Sequence, residues 1–461
     1  MTLAIIIVFI IGYLCIALES SLKVNKSAVA LFLCIICWTL YMINCGQYVD
    51  AFHHADFLAA AAEGGEHFSV KDFVTNHILL DHLGDTAEII FFLMGAMTIV
   101  EVVDYNGGFN FVRDRLGTHS MRVLLWRIIF MTFFLSAILD NMTTSIVMIM
   151  VLRKLVSNRR DRLYFASAII LAANSGGAFS PIGDITTIML WIKSNITTIG
   201  VIKEVFLPAI MSVAVPGFII QFFLKGNLND ADMEFEPLDS GTRTERNIIF
   251  WIGVGGLIMV PVFRTLTGLP PFMGILCVLS ILWIVTELFN RSKGINAQKH
   301  SVSTLLTHID LSTILFFLGI LMAVGTLEET GVLHSLGGWL ETQTNGNAYV
   351  VTGAIGVVSS IVDNVPLVAG CMGMYDIATP AQVAANPELL NFVQDGTFWQ
   401  LLGYCAGVGG SMLIIGSAAG VVTMGLEKIT FGWYLKHISW IAFLGYIAGM
   451  GVYWLEKTFL F

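Results

Sequence analysis

Charge is scarce in this chain. Only 12% of its 461 residues are Asp, Glu, Lys or Arg, about half the share in a soluble domain, which excludes a soluble globular protein. A disulfide framework is also missing. The seven cysteines lie singly in apolar stretches, except Cys34 and Cys37. That C-x-x-C falls inside a predicted span with no second pair, so it reads as small packing residues rather than a metal or redox site. Residues 3–18 lack a basic n-region and run into Glu19 without a clear small-residue cleavage site, so they read as a retained first span. What remains is apolar: 56% of residues are hydrophobic, mean hydropathy is +0.79, and several runs exceed the roughly 20 residues that cross a bilayer. The chain therefore reads as an all-α polytopic membrane protein with no nucleic-acid partner.

Apolar runs place spans near 3–19, 26–46, 86–104, 163–192, 204–224, 247–264, 271–290, 311–328, 398–425 and 432–457, about ten crossings. Two further apolar stretches, 123–155 and 347–374, carry polar residues at their centres. Arg113, Arg115, Arg122 and Arg127 precede the first; Arg153, Lys154, Arg159, Arg160 and Arg162 follow it. Bases gather on the cytoplasmic side, so this stretch should enter and return as a re-entrant hairpin. The second is bracketed by acidic loops without Lys or Arg and should enter from the opposite face. With these assignments nineteen of the 24 Lys and Arg residues lie inside, and both termini are external. The expected location is a plasma membrane, a bacterial inner membrane.

The resulting organisation has four parts. Residues 1–85 supply N-terminal scaffold spans and an external amphipathic segment. Residues 86–224 form a first repeat with hairpin 123–155 and broken helix 163–192. Residues 225–310 hold linker loops and two scaffold spans, and 311–461 a second repeat with hairpin 347–374 and broken helix 398–425. Phe91-Phe92-Leu93 recurs as Phe316-Phe317-Leu318, and Asp140-Asn141 recurs as Asp363-Asn364. The glycines of Gly176-Gly177-Ala-Phe-Ser180-Pro181-Ile-Gly183-Asp184 recur at the same spacing in Gly409-Gly410-Ser411-Met-Leu-Ile-Ile-Gly416-Ser417. Five crossings separate the copies, so they should be inverted, the architecture of secondary transporters with a midplane site.

Hydrocarbon offers no water to an acid or amide, so polar groups at that depth mark a cavity or an ion path. Gly176, Gly177, Pro181 and Gly183, like Gly409, Gly410 and Gly416, disfavour continuous helix. Unwinding there frees carbonyls that can coordinate a cation. Asp140, Asn141, Thr143 and Thr144, facing Asn174, Ser175 and Ser180, should form one pocket of hard oxygen ligands. Asp363, Asn364, Ser359 and Ser360, facing Gly410, Ser411 and Ser417, should form its mirror. The bare cation would sit on Asp140 and Asn141 and on Asp363 and Asn364. Asp184 has Ser417 as its counterpart and is either a third protonatable group or a partner of Thr186 or Thr187. No Lys or Arg lies in the tips or breaks, which argues against an anionic substrate held by a basic clamp. His53, His54, His67, His77 and His82, in the acidic external segment, are expected to face water.

At these residues the chain resembles the ion transporter superfamily, and within it the NhaD-type sodium/proton antiporters. The resemblance rests on Ser136-Ala-Ile-Leu-Asp140-Asn141-Met-Thr143-Thr144, on Ala173-Asn174-Ser175-Gly176-Gly177-Ala178-Phe179-Ser180-Pro181-Ile182-Gly183-Asp184, and on Ile361-Val-Asp363-Asn364-Val-Pro366. It covers roughly residues 86–457. The wider superfamily places Ser-Asn-Thr at both tips. Here Asp takes the Ser place and Met or Val the Thr place, which suits exchange of Na⁺ or Li⁺ for H⁺ better than carboxylate uptake. The resemblance implies a scaffold and a moving transport domain, an elevator-like cycle, a homodimer and no cofactor. Two other readings remain. One is an arsenite, citrate or dicarboxylate carrier of the same superfamily. The other is an intramembrane aspartyl protease using Asp140 with Asp184 or Asp363, although the Tyr-Asp partner motif occurs only as Tyr375-Asp376, outside the hairpin.

Overall fold

The computed structural model describes the chain except residues 18, 65–67, 110–115, 117, 119, 225–241, 292–301, 345, 362 and 461, and the side chains of 17, 20, 21, 63, 154, 243 and 308. His67, Arg113, Arg115 and most of the loops at 225–246 and 291–309 lie outside the described residues.

Every regular element among the described residues is a helix. In chain order the longer ones are α1 (Thr2–Ala17), α2 (Lys26–Ile43), α3 (Leu79–Tyr105), α4 (Met121–Leu139), α5 (Asn141–Leu155), α6 (Arg159–Ala178), α7 (Ile185–Ile192) and α8 (Thr198–Ile220). Then follow α9 (Arg243–Thr267), α10 (Pro271–Arg291), α11 (Leu311–Glu329), α12 (Val332–Thr344), α13 (Ala348–Ser359), α14 (Asn364–Met374), α15 (Thr397–Gly409), α16 (Ala418–Glu427) and α17 (Ser439–Phe459). Their starts are written locally. Asn25 and Asn158 accept from backbone amides of α2 and α6, and Thr242 closes a capping box with Glu245 on α9, each satisfying donors that a helix start leaves open.

Among the described residues seven helices are long and apolar enough to cross a membrane, or eight if Phe431–His437 and α17, bent by 54°, count as one span. Ten crossings were expected. The difference lies in three places: α1 has 16 residues, and the stretches 163–192 and 398–425 are each divided in two, as α6 with α7 and α15 with α16. Conversely α4, read from sequence as one arm of a hairpin, is long enough by itself to cross. The α3 helix begins at Leu79 rather than 86, and His82 in its first turn bonds to Glu329.

The chain packs as two compact units, each drawn from separate stretches. The first comprises Met1–Leu93, Asp310–Asn347 and Val368–Asp376. In it α2 lies directly on α11, where a Cβ at Gly319 would come within 2.6 Å of the Ala30–Leu31 peptide. Ser27 Oγ donates to Ser312 O at 2.6 Å and Trp38 Nε1 to Met322 O at 2.9 Å across the same contact. His53 and His82, expected to face water, instead share the Glu329 carboxylate, at 2.7 and 2.8 Å. They edge a cavity of about 520 Å³ that Asp56, His77, Asp81 and Asp85 also line. The second unit comprises Met94–Ile309, Ala348–Leu367 and Ile377–Phe461. Its α8 and α17 run antiparallel: Gly445 meets Ser212 O, Gly449 meets Pro208 O, and Tyr453 and Lys457 both reach Glu204. Close backbone approach through glycine is how membrane helices gain contact without a hydrophobic driving force. Every candidate site residue belongs to this second unit.

Candidate functional site

The two helices α4 and α5 meet at Asp140, which has φ 86° and ψ 157°. That region is essentially a glycine one, so a non-glycine residue there is held in strain by its surroundings. The Asp140 carboxylate caps α5, accepting from Thr143 N at 2.9 Å and from Thr143 Oγ1 at 2.7 Å. Asp363 stands equivalently before α14 and accepts from Val365 N at 3.2 Å. Asp184 and Ser417 cap α7 and α16 with nearly equal dihedrals, φ −143° and −141°. Four helices therefore start at these positions, three of them behind a carboxylate that offsets the positive helix end.

Four contacts recur between the two halves of this unit. Ser136 Oγ donates to Ala173 O at 2.6 Å, and Ser359 Oγ to Ala406 O at 2.7 Å. A Cβ at Gly176 would overlap the Phe133 backbone, and one at Gly409 the Gly356 backbone. Gly177 packs on Gly183 O, and Gly410 on Gly416 O. Gly183 in turn lies on Ser136 O, and Gly416 on Ser359 O. The glycines are therefore contact points at which an unwound segment, 179–184 or 410–417, folds back against the preceding helix pair. At these breaks the last carbonyls of α6 and α15 lose their helical partners.

A buried hydrogen-bonded run crosses from one half to the other. Asn141 Nδ2 donates to Asp184 Oδ2 at 3.0 Å and to Asn174 Oδ1 at 3.1 Å. Asn174 Nδ2 donates to Ser411 Oγ and Ser417 Oγ, both at 2.8 Å. Asp184 Oδ1 accepts from Thr186 N at 3.2 Å, and Thr187 Oγ1 donates to Asp184 O. Asp184 is thus a capping partner of Thr186, one of the two options open for it, and it also bonds to Asn141. It is 2% exposed. Opposite it stands Gly407, whose missing side chain leaves room beside Asp184 Oδ2.

The other expected ligands divide into two groups. Asn364, Ser359 and Ser360 are buried, but Ser359 ties down α15 and Ser360 Oγ donates to Val357 O within its own turn. Ser175 Oγ accepts from Ser212 Oγ on α8 at 2.7 Å, and Ser180 Oγ accepts from Ile182 N in the break. Thr143 is occupied by Asp140, whereas the buried Thr144 Oγ1 has no hydrogen-bond partner among the described residues. Asn174 of the first half bonds to Ser411 and Ser417 of the second, so one polar run links residues that the sequence assigned to separate pockets. Ser136, Ser212 and Gly407 were missed. For Ser136 the signal was present, since it pairs with Ser359 under the same offset that relates Asp140 to Asp363.

A family model described as citrate transporter matches residues 13–393. Sodium/proton antiporter 1 of Arabidopsis thaliana is 42% identical over 450 residues, spanning 98% of this chain and 72% of that protein. Sodium/proton antiporter 2 of the same plant is 38% identical over 456 residues, spanning 98% and 99%. The Na⁺/H⁺ antiporter NhaD of Alkalimonas amylolytica is 30% identical over 419 residues, spanning 83% and 80%. These relatives carry transporter names, which sets the protease reading aside.

Proposed function

Since the chain belongs to the citrate transporter (CitMHS) family and, within it, with the NhaD-type Na⁺/H⁺ antiporters, we propose that it exchanges Na⁺ or Li⁺ for H⁺ across its membrane. The observation that carries this reading is the buried run Asp184–Asn141–Asn174–Ser411/Ser417 between two matched helix breaks. A carboxylate, amide oxygens, hydroxyls and freed carbonyls suit a small hard cation, and neither breaks nor tips contain a Lys or Arg to hold an organic anion. Asp184 is the carboxylate on which H⁺ and Na⁺ compete. One group cannot hold both, so loading either ion requires release of the other, and that exclusion couples the two fluxes. Asp140 and Asp363 cap the helices that bring Asn141 and Asn364 to the site.

The same reading takes the helix pairs α4–α5 and α13–α14 as re-entrant hairpins of two inverted repeats. For the first, Trp126 near the start of α4 bonds to Gln221 at the end of α8. Arg153, near the end of α5, shares Glu427 with Arg162 of the first turns of α6. Tyr164 of α6 stacks on Phe223, two residues beyond Gln221. The outer ends of both arms thus gather around the start of α6. The division of the chain into two units supports an elevator-like cycle with a scaffold and a moving body. A homodimer in the plasma membrane with both termini external completes the proposal.

The test is Na⁺- or Li⁺-driven dequenching of a pH dye in everted vesicles, comparing wild type with Asp184→Asn, Asp140→Asn and Asp363→Asn. Loss of the response in Asp184→Asn with protein present in the membrane is expected. Wild-type dequenching in that variant, or a response requiring citrate, arsenite or a dicarboxylate, refutes the reading.

A further inference from the structure

The two half-helices that start at the site, α7 and α16, are short, with 8 and 10 residues. Each has a C-terminus whose carbonyls need partners, and each receives an arginine. Arg264 of α9 donates Nη1 to Trp191 O at 2.6 Å and Nη2 to Ile192 O at 3.3 Å, and its Nη2 also reaches Ser194 Oγ at 3.0 Å. Its guanidinium lies over the Trp191 ring, 5.0 Å from the centroid. At the end of α16, Arg153 Nη2 donates to Leu426 O while its Nε donates to Glu427 Oε1 at 2.6 Å. Arg162 Nε takes the other oxygen, Oε2, at 2.7 Å. The Glu427 side chain is 1% exposed, so it is paired on both oxygens at the point where a lone buried charge would be costly.

These groups lie at the far ends of the helices that carry Asp184 and Ser417, and a left-handed residue follows each: Ser194 at φ 63° and Lys428 at φ 50°. We propose that Arg264 and the Arg153–Glu427–Arg162 group are positioning residues, paired clamps that hold the two half-helices from behind and so set the geometry of the ion site. This rests on the reading of Asp184 as the exchanging carboxylate. An isolated helix of two or three turns has little stability of its own, so its N-terminal cap is only as well placed as its other end. The forked guanidinium of Arg264 grips two successive carbonyls and complements the negative helix end. The clamps are unequal: Arg264 governs the half-helix that bears the carboxylate, and the Glu427 group governs the half-helix that bears the serine.

The measurement is initial rate against Na⁺ concentration in proteoliposomes, for wild type, Arg264→Gln, Arg264→Lys and Asp184→Asn. Arg264→Gln should raise the half-saturating Na⁺ about 5-fold, the size of one charge–helix-end interaction, with the maximal rate largely kept. Arg264→Lys keeps the charge but loses the fork, and should stay within about 2-fold of wild type while still above it. A wild-type half-saturation in Arg264→Gln, or equal shifts in Gln and Lys, overturns the proposal. If the Gln variant does not accumulate, the Lys variant decides, and an unshifted value overturns it. Wild-type exchange in Asp184→Asn would instead remove the site reading beneath it. An inactive Asp184→Asn with an unshifted Arg264→Gln removes the clamp alone.

Discussion

Adding one methyl group at Gly176 should force two helices apart. A Cβ there would lie 2.8 Å from the Phe133 carbonyl carbon and 2.9 Å from its Cα, well inside ordinary contact. The obstacle is backbone, so no side chain can swing clear, and α4 must move off α6 by about 1 Å to restore normal carbon–carbon separation. That movement strains the Ser136 Oγ to Ala173 O bond, 2.6 Å long and fully buried. Overpacking costs about 1–3 kcal/mol and a strained buried hydrogen bond about 1 kcal/mol, while alanine returns up to about 1 kcal/mol of helix propensity. The net expectation is a loss of about 2 kcal/mol. Gly409→Ala should behave alike, since its Cβ would lie 2.8 Å from the Gly356 carbonyl carbon and Ser359 makes the equivalent bond. Gly451 of α17 has open space around its missing Cβ, so Gly451→Ala should stabilise by about 0.5–1 kcal/mol. Thermal unfolding of purified protein in detergent, followed by tryptophan fluorescence, reads all three. A midpoint for Gly176→Ala at or above wild type, or a Gly451→Ala that falls as far as Gly176→Ala, refutes the reasoning.

Two further outcomes follow from local geometry. The hydrogen bond that His53 donates to the Glu329 carboxylate holds the His53 pKa above its ordinary value of 6.5. The imidazolium's contribution is therefore complete below that value and lost as pH rises through the raised one: His53→Gln should cost about 1 kcal/mol near pH 5 and little at alkaline pH. A stability difference that stays constant across unfolding midpoints taken from pH 5 to 9 contradicts this. At Asp140, glycine relieves a strain of about 1–3 kcal/mol that alanine leaves in place, while both lose the cap on α5. Asp140→Gly should thus unfold at a higher temperature than Asp140→Ala, and equal midpoints would show that the positive φ is not strained.

Much of this molecule was legible in its residues because the relevant physics is local. Scarcity of charge and long apolar runs require a membrane. Glycine and proline at Gly176, Gly177, Pro181 and Gly183 break a helix wherever the chain carries them, and Asp140-Asn141 with Asp363-Asn364 announces two equivalent turns. The same breaks explain why counting apolar runs overstated the continuous spans: hydropathy registers 163–192 as one run, whereas backbone hydrogen bonding divides it. The histidines illustrate the opposite case. Nothing near His53 or His82 in the chain names Glu329, more than two hundred residues away, so exposure was the natural expectation. The site itself has the same limit. Composition and spacing determined which residues are polar at depth and that they come in two related sets. Only the tertiary structure decided that Asn174 reaches Ser411 and Ser417 of the other set, that Asp184 rather than Asp140 joins Asn141 in the buried run, and that arginines from elsewhere grip the half-helices. Hydrogen bonds between side chains extend about 3 Å, and which groups come within that reach depends on how the second unit packs.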